Sequence, residues 1–389
     1  METKYLIIGG GPAGVAAAEA IRSRDTESSV LIIDAEGEPL YSKISFHRFL
    51  NGTTDKDKLY LRTADYYKDK EIDFIKGRAV SGDSRAKKIV LDDDREISYQ
   101  KLIVATGGRA KVLDIEGSGE IVPKTFYNLQ SAIELKNALG SAERILVVGG
   151  GFLTLDLLDG LVALNKQITL VMRDSRILQG KVGEIGSRLM EEKLLAKGVE
   201  IIRNEEVSKF EKKDNSSALL KSGREIVFDL VVVAVGLEIN LELARTLGLK
   251  TDRGVVVDRF FATSDPDIYA CGDICQYEDI FSRESNMAGN WFFAQESGKT
   301  AGQNVLGEKV ENHSSIIVAK NIFGLNLYFS GSINSQFDSR DFASGERYFQ
   351  IFIKDEKVVG ISALNMAGQI PVFSKLLGNT FDENSLPKI

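Results

Sequence analysis

Cysteine and histidine are scarce in this chain of 389 residues, which contains only two of each. Two cysteines exclude a fold held together by a framework of several disulfide bonds. The two histidines, His47 and His313, exclude a metal site built from several histidine ligands. The chain must therefore fold around apolar cores, and we predict no metal site.

Long apolar segments and an excess of positive charge are also missing. The longest apolar stretch, residues 230–237, is much shorter than the roughly 20 residues that span a bilayer. The net charge of −7 disfavours a broad phosphate-binding surface, so we expect no nucleic-acid partner. No basic segment with an apolar core precedes the first strand pattern, so we expect no signal peptide and a cytoplasmic protein without membrane association.

The first informative stretch is KYLIIGGGPAGVAAAE, residues 4–19. An apolar run predicts a buried parallel strand, and an alanine-rich helix pattern follows it. The glycines between them form G-x-G-x-x-G, which gives a tight turn, close approach of the backbone to a pyrophosphate, and close helix–strand packing. The next strand pattern ends in an acid, 20 residues after the last glycine, where it would accept hydrogen bonds from ribose hydroxyls. This dinucleotide-binding turn comprises Gly9, Gly11, Pro12, Ala13, Gly14, Asp34 and Ala35.

A second copy of this pattern is RILVVGGGFLTLDLL, residues 144–158. Gly149 and Gly151 keep the first two glycine roles, and Phe152 begins the helix pattern. Thr154 replaces the third glycine. Because its side chain is branched, we expect the helix to move outward slightly or to lose some packing.

The strand pattern at 167–171 ends in Met172, which occupies the position of the ribose-binding acid. Arg173 and Arg176 follow, and such arginines accommodate a 2′-phosphate. They are equally well explained as solvated charges on a loop. We predict a nicotinamide dinucleotide site and leave open the preference between NADH and NADPH. A second unit that has lost nucleotide binding is the alternative.

Two further signals accompany the glycine turns. Each dinucleotide pattern is followed by a strand that ends in a small-residue turn, Ala105-Thr106-Gly107 in the first and Ala234-Val235-Gly236 in the second. A later strand pattern, at 267–271, ends in Gly272-Asp273, which can present a carboxylate to a sugar or ribityl hydroxyl.

With these motifs in place, nearly the whole chain resembles the two-dinucleotide-fold flavoproteins of the pyridine nucleotide–disulfide oxidoreductase superfamily. Residues 41–52 look like the Tyr-x-Arg-x-x-Leu-Ser-x-x-Leu-x-Gly stretch of the rubredoxin reductase and NirB-type nitrite reductase flavoproteins, with Lys43 in place of the arginine and His47 in place of the serine. Residues 291–307 resemble the flavin-side helix of that group. Residues 320–331 resemble its K-x-x-G-x-x-x-x-S-x-G entry into the C-terminal domain.

The resemblance implies an α/β protein with two Rossmann-like dinucleotide-binding domains, each a three-layer unit with a mainly parallel sheet, and a small α+β C-terminal domain. We expect a discontinuous FAD-binding domain at 1–113 and 241–313, an inserted NAD(P)-binding domain at 114–240, and a C-terminal domain at 314–389. Within these domains, residues 75–100 predict a hairpin whose turn is at 91–95. Residues 348–361 predict a second hairpin around 354–357.

By the same resemblance, the first unit holds FAD and the second binds NAD(P)H. A cation at Lys43 would stabilise the reduced flavin, although a solvated lysine at a helix start is the simpler interpretation. Arg109 would reach the FAD phosphates. Trp291 lies at the flavin edge or packs in the core. The predicted cofactor-binding set is completed by Ala105, Thr106, Gly107, Gly272, Asp273, Gly149, Gly151, Phe152, Arg173 and Gly236.

Thiol-dependent members of the superfamily carry a reactive cysteine in the segment that corresponds to 34–52, and this chain has none there. Its cysteines are Cys271, which we expect to be a small buried residue, and Cys275, which we expect on a neighbouring helix. Thiol exchange needs an exposed thiolate beside the flavin. Disulfide, peroxide and coenzyme A disulfide reduction are therefore disfavoured.

The remaining reaction passes hydride from NAD(P)H to flavin and then electrons to a small acceptor protein such as rubredoxin, or to another small oxidant. An NAD(P)H oxidase or diaphorase has the same fold. A non-catalytic flavoprotein that senses redox state or binds a partner is an alternative of another class. The sequence leaves open whether the protein is a monomer or a homodimer.

Overall fold

A computed structural model describes residues 1–212 and 214–389. The chain forms two compact units, each built from separated segments. The first unit comprises Met1–Tyr41, Tyr60–Arg109 and Ile239–Val318. The second comprises Ser42–Leu59, Ala110–Glu238 and Ala319–Ile389. The boundaries of the three domains expected from the sequence stay a prediction.

The longest helix in the described residues has 14 residues, and no helix there is both long and apolar enough to cross a membrane. The α-helices are α1 Pro12–Arg22, α2 Phe46–Leu50, α3 Ala64–Asp69, α4 Leu129–Leu139, α5 Phe152–Leu161, α6 Glu184–Ala196, α7 Glu242–Thr246, α8 Trp291–Asn304 and α9 Ile370–Leu376. Short 3₁₀ helices occupy Lys43–Ser45, Lys56–Leu59, Val162–Leu164, Gly272–Ile274, Ala367–Gln369 and Glu383–Ser385.

The strands of the described residues are, in chain order, β1 Glu2–Ile8, β2 Val30–Asp34, β3 Ile72–Lys76, β4 Ala79–Asp83, β5 Lys88–Leu91, β6 Glu96–Val104, β7 Gly108–Ala110, β8 Arg144–Val148, β9 Gln167–Val171, β10 Glu200–Ile202, β11 Val207–Lys212, β12 Ser216–Leu220, β13 Glu225–Phe228, β14 Leu230–Val233, β15 Leu237–Ile239, β16 Val255–Val256, β17 Ile268–Ala270, β18 Cys275–Glu278, β19 Ser285–Asn286, β20 Ile317–Ile322, β21 Leu325–Gly331, β22 Asp338–Ser344, β23 Arg347–Lys354 and β24 Lys357–Leu364.

The first unit is organised around a sheet in which β3, β2, β1, β6 and β17 run parallel. The apolar residues 5–8 of β1 are all buried, as expected of a strand covered on both faces. Strands β5 and β4 continue the sheet beyond β6 in antiparallel pairing. The single hairpin expected over 75–100 is thus a meander of β4, β5 and β6, and only its turn before β6 was predicted.

Helices α1 and α8 of the first unit cross at very short distance because α8 carries glycine where it meets α1. A Cβ on Gly298 would lie 2.0 Å from the Ala13 carbonyl oxygen, and one on Gly302 would lie 2.4 Å from that of Ala17. These two glycines are one helical turn apart and face the same helix. The contact fixes α8 against the helix that begins at the first glycine turn.

The second unit contains a parallel sheet of order β10-β9-β8-β14, with α5 between β8 and β9. An antiparallel sheet of β11, β12 and β13 accompanies it. The C-terminal segment forms a sheet of order β20-β21-β24-β23-β22, followed by α9. Strands β23 and β24 make the predicted hairpin, with Asp355 and Glu356 at positive φ in its turn. The α/β class and the α+β C-terminal part expected from the sequence are confirmed.

Candidate dinucleotide sites

The first glycine turn joins β1 to α1 and keeps open space where a phosphate group would lie. Gly9 has φ +117°, and a Cβ on it would lie 2.2 Å from the Ala105 carbonyl oxygen. A Cβ on Gly14 would lie 1.9 Å from the Gly9 oxygen, so helix and strand pack directly on backbone. A Cβ on Gly11, in contrast, would meet no atom within 4 Å among the described residues. Gly11 is also the N-cap of α1 and provides no capping side chain, so the first amides of α1 remain available to an anion.

Asp34 at the end of β2 is held in place by three backbone amides. Its Oδ2 accepts from the Gly10 amide at 2.8 Å, and its Oδ1 accepts from the amides of Glu36 and Gly37 at 2.9 Å each. Ala35, also predicted for this site, follows directly in that turn. The carboxylate is therefore preorganised beside the glycine turn, where a ribose would bind.

The second glycine turn repeats the first in its hydrogen bonds. The Gly149 amide donates to the Val171 oxygen at 3.0 Å, as the Gly9 amide donates to the Ile33 oxygen at 2.8 Å. The Ala234 amide donates to the Val148 oxygen at 2.8 Å, the same bond that Ala105 makes to Ile8. A Cβ on Gly151, the N-cap of α5, would meet no described atom within 4 Å. The two turns are therefore equivalent in their backbone geometry.

Thr154, at the position of the third glycine, is packed and hydrogen-bonded despite its branched side chain. Its side chain is 1% exposed, and its Oγ1 donates to the Ala234 carbonyl oxygen at 3.0 Å. The same Oγ1 would lie 2.8 Å from a Cβ on Gly149, which is glycine with φ +135°. The threonine thus fills the contact and ties α5 to the strand beside it.

Phe152, the first residue of α5, packs edge-to-face on Phe329 with ring centroids 4.9 Å apart. The small-residue turn that follows β14 also keeps open space, because Gly236 has φ +108° and a Cβ on it would meet no described atom within 4 Å. Gly236 therefore leaves room at the end of β14, and the role of Phe152 toward a ligand stays a prediction.

The turn after β6 is closed by Asn240 in the same unit. Its side-chain amide donates to the Thr106 oxygen at 2.8 Å, and its backbone amide donates to the Gly107 oxygen at 3.0 Å. Gly107 has φ +55° and open space at its Cβ position. Arg109 is half-exposed, with its guanidinium 3.0 Å from the Glu242 carboxylate, so the phosphate contact expected for Arg109 stays a prediction.

Gly272 and Asp273 follow β17, in a 3₁₀ turn held against α8. Gly272 has φ +80°, and its amide donates to Ser297 Oγ at 3.0 Å. Cys271 and Cys275 flank this turn, both fully buried and both free thiols. Burial raises the pKa of both thiols above the ordinary value of 9.0. The burial of Cys271 was predicted, but the expectation of a helix at Cys275 is wrong, since this residue begins β18.

Trp291 is the first residue of α8, in the helix expected from the sequence. Its ring is partly buried against the core of the first unit. Asn290 caps the helix by accepting from the Phe293 amide at 2.8 Å. This packing agrees with the interpretation of Trp291 as a core residue. Its place at the flavin edge stays a prediction.

In the second unit, Lys43 lies at the start of a 3₁₀ turn with its Nζ 3.9 Å from the centre of the Tyr127 ring. Such a contact stabilises a cation in a partly desolvated place. The lysine at this position is thus partly buried and in contact with an aromatic ring, and its predicted place beside a flavin stays a prediction.

Sequence reasoning missed a pair of carboxylates on the partly exposed face of α5. Lys320 Nζ lies 2.6 Å from Asp156 Oδ1 and also contacts its Oδ2. Asp159 Oδ1 accepts from the Phe323 amide at 3.0 Å, and its Oδ2 lies 3.9 Å from His47 Nε2. The signal was present, because two acids three residues apart interrupt an otherwise apolar helix and must find partners.

The family model for pyridine nucleotide-disulphide oxidoreductases matches residues 3–298. The chain belongs to this family. The predicted superfamily is therefore confirmed, and the protein is an oxidoreductase that uses FAD and NAD(P)H.

Related proteins extend over almost the whole oxidoreductase chain. It is 25% identical over 383 residues to a 3-phenylpropionate/cinnamic acid dioxygenase ferredoxin–NAD(+) reductase component of Photorhabdus laumondii, covering 96% of each protein. It is 26% identical over 379 residues to an NADH-rubredoxin oxidoreductase of Clostridium acetobutylicum, covering 96% of this chain and 93% of the relative. A ferredoxin reductase structure from Rhodopseudomonas palustris shares the fold, with a TM-score of 0.89, 24% identity and coverage of 96% of this chain and 94% of the other.

The first turn of this oxidoreductase fits FAD on its own geometry. The open space over Gly11, the uncapped start of α1 and the fixed carboxylate of Asp34 match a pyrophosphate followed by a ribose. The second turn shares the open space over Gly151 and the uncapped start of α5.

Proposed function

We propose that this chain is an FAD-dependent NAD(P)H reductase that delivers electrons to a small redox protein of the rubredoxin or ferredoxin type. The proposal is carried by the equivalence of the two glycine turns, which lets one molecule hold a flavin and a nicotinamide coenzyme together. When bound, FAD supplies the chemistry by accepting a hydride and releasing electrons. The relatives named as ferredoxin and rubredoxin reductases support this class of acceptor.

The residues of the first unit bind and orient FAD in this proposal. The amides that start α1 hold the pyrophosphate, and Asp34 accepts from the ribose hydroxyls. The turn at 105–107, Gly272-Asp273 and the start of α8 at Trp291 line the rest of the cofactor. Arg109 exchanges its exposed partner Glu242 for a phosphate oxygen, since an exposed ion pair is weak.

The residues of the second unit bind the coenzyme and adjust charge. The amides that start α5 hold the coenzyme pyrophosphate, with Gly149, Gly151 and Phe152 around it. Lys43 places a positive charge at a fixed position on the Tyr127 ring. The domains predicted at 1–113 with 241–313, 114–240 and 314–389 remain part of this proposal, with Lys43 in the first of them.

Electrons leave the flavin without a thiol relay in this proposal. Cys271 and Cys275 are fully buried, and their raised pKa keeps them protonated at neutral pH. The acceptor would therefore take one or two electrons from the flavin directly.

The decisive experiment is an anaerobic titration of the purified flavoprotein, following its visible absorption with NADH and NADPH in separate cuvettes. Rapid bleaching by either nucleotide supports the reductase. Absence of bleaching by both, with a flavin that dithionite reduces, overturns it and favours a flavoprotein that senses or binds. The variant Gly151→Asp should no longer be bleached by either nucleotide, because it adds a negative charge at the coenzyme pyrophosphate without a steric clash. Gly368→Asp, also in open space in the second unit, is its control.

Acceptor class is then tested by coupled reduction of a rubredoxin and a ferredoxin under anaerobic conditions. Reduction of either protein at a rate well above that of oxygen, measured in a separate air-saturated assay, supports the proposal. Oxygen consumption that matches NAD(P)H oxidation, with neither protein reduced, supports the oxidase instead.

A further inference from the structure

The residue after the second strand differs in chemistry between the two equivalent turns. In the first unit, Asp34 faces Gly10, whose amide donates to the carboxylate at 2.8 Å. In the second unit, Met172 faces Gly150, and its Sδ would lie 3.3 Å from a Cβ placed there. Met172 is 1% exposed and offers a thioether in the place of the acid. The second site therefore lacks the carboxylate that favours a free ribose 2′-hydroxyl and repels a 2′-phosphate.

Two arginines follow Met172 on the same loop. Arg173 is 78% exposed, and its Nε lies 3.7 Å from Asp174 Oδ1. Arg176 is partly buried, and its Nε has no hydrogen-bond partner among the residues that the structure describes. A buried guanidinium N–H without a partner is costly, and a phosphate oxygen would satisfy it.

This loop is fixed by one backbone hydrogen bond to the glycine turn and by side chains of α6. The Leu178 amide donates to the Gly150 oxygen at 2.9 Å, and the Ile177 amide donates to Glu191 Oε1 at 2.9 Å. Ser187 Oγ donates to the Ile177 oxygen at 2.6 Å. The arginines are therefore presented from a built loop at the side of the turn where the adenosine ribose lies in such folds.

Two carboxylates near this loop, Glu191 and Glu206, have other cationic partners, while Glu205 accepts from Ser222 Oγ at 3.0 Å. Asp174 lies on the loop itself, beside Arg173. Glu191 Oε2 accepts from Arg203 at 2.6 Å, and Glu206 lies 2.7 Å from Lys221 Nζ. The hydrogen bond from Lys221 is the main cause that lowers the pKa of Glu206, and the charge of Arg173 adds to it. The positive charge of the two loop arginines is thus only partly cancelled locally.

We propose that the second site selects the 2′-phosphorylated coenzyme, NADPH, over NADH, with Arg173 and Arg176 as the residues that bind the 2′-phosphate. This inference rests on the proposed function, because it concerns the coenzyme that the reductase uses. Met172 allows a 2′-phosphate to bind, since it occupies the position of the ribose-binding acid without a negative charge.

The test uses the FAD-loaded protein and two fragments that cannot react, 2′,5′-ADP and 5′-AMP, in isothermal titration calorimetry. We expect 2′,5′-ADP to bind about tenfold to a hundredfold more tightly, the gain of one or two charge-assisted hydrogen bonds. Equal affinities, or tighter binding of 5′-AMP, would overturn the inference.

Arg173→Ala and Arg176→Ala should each lower the affinity for 2′,5′-ADP toward that for 5′-AMP and leave the latter unchanged. Met172→Glu should reverse the preference. Arg85→Ala is the matched control, because Arg85 is exposed in the first unit and its loss changes the net charge equally. An equal loss of affinity for 2′,5′-ADP in Arg85→Ala would show a general effect of net charge and overturn the assignment of the two arginines.

Failure of the inference and failure of the proposed function give different results. If NADH bleaches the flavin and NADPH does not, the function stands and the selectivity for NADPH is wrong. If neither nucleotide bleaches the flavin and neither fragment binds, both are wrong.

Discussion

Thr154 donates its hydroxyl hydrogen to the Ala234 carbonyl oxygen at 3.0 Å, across a contact that Gly14 leaves to bare backbone in the first unit. A residue that breaks the glycine pattern is thus accommodated by a hydrogen bond. The departure from G-x-G-x-x-G is therefore no sign that the second site has been lost.

Replacement of Thr154 by valine keeps the shape of the side chain and removes the hydroxyl. The Ala234 oxygen then loses a buried hydrogen bond, so we expect the variant to be less stable by about 1–3 kcal/mol. Thermal unfolding checks the loss, and Thr154→Ser, which keeps the hydroxyl, should retain most of the stability. A valine variant as stable as the parent would show that the bond contributes nothing.

Gly298→Ala should weaken the contact between α8 and α1. The added Cβ would lie 2.0 Å from the Ala13 oxygen, and the helices must move apart at a cost of about 1–3 kcal/mol or more. Because α1 starts at the cofactor turn, we also expect the purified variant to retain less FAD. Gly289→Ala, in open space in the same unit, serves as control, and equal flavin content in both variants would contradict the prediction.

Asp34→Asn should weaken FAD binding without loss of the fold. The amide keeps the size of the side chain but removes the charge that accepts from three amides and from the ribose, so we expect affinity to fall about tenfold or more. Flavin fluorescence during dialysis measures the release. The control is Asp73→Asn, an exposed change on the neighbouring strand β3, which should not alter the retention of FAD.

The Asp156–Lys320 pair should show strong coupling in a double-mutant cycle. Lys320→Met leaves a partly buried carboxylate without its cation, and we expect a loss of stability of about 1–3 kcal/mol. Asp156→Asn in the same molecule should recover part of it, since no charge is then left alone. Urea unfolding of the four proteins gives the coupling energy, and additive effects would rule out a direct interaction.

The buried cysteines should be inert in the folded protein. Their raised pKa means that the thiols stay protonated where an exposed cysteine begins to ionise, so reagents such as iodoacetamide should modify them only after unfolding. Cys271→Ala with Cys275→Ala should retain reduction of ferricyanide by NAD(P)H. Rapid labelling of native protein, or loss of turnover beyond the loss of folded protein, would contradict this.

The same thiols give a stability that depends on pH. Below the ordinary pKa of 9.0, folded and unfolded chains both hold these protons. Above it, the unfolded chain releases them and the folded chain does not, so stability falls as pH rises. In urea unfolding, the double cysteine variant should lose less of its free energy of unfolding between about pH 9 and pH 10 than the parent does.

The sequence predicted the features that are local along the chain. Both glycine turns and the strands before them depend on short patterns of apolar residues and glycine, so they were placed correctly. Helix α8 was placed by the family resemblance of residues 291–307. The β4 strand was missed because the turn between β4 and β5 lacks glycine and proline. Cys275 was assigned to a helix because a four-residue strand gives too little periodicity to recognise.

Contacts between distant segments could not be predicted in this way. Lys320 lies 164 positions from Asp156, and no local pattern relates the two. The carboxylates of α5 gave a hint that partners exist, but their identity depends on how the C-terminal sheet packs. Likewise, the fit of Thr154 depends on a carbonyl oxygen 80 residues away.

The position of Asp34 has a consequence for how one molecule handles two similar ligands. Both turns recognise the same adenine dinucleotide framework, so geometry alone cannot sort a resident flavin from an exchangeable coenzyme. A fixed negative charge beside the first turn repels a ligand with a phosphate on its ribose 2′-oxygen, while the thioether at the second turn does not. The carboxylate then acts as an electrostatic filter, which keeps a phosphorylated coenzyme from competing for the flavin's place.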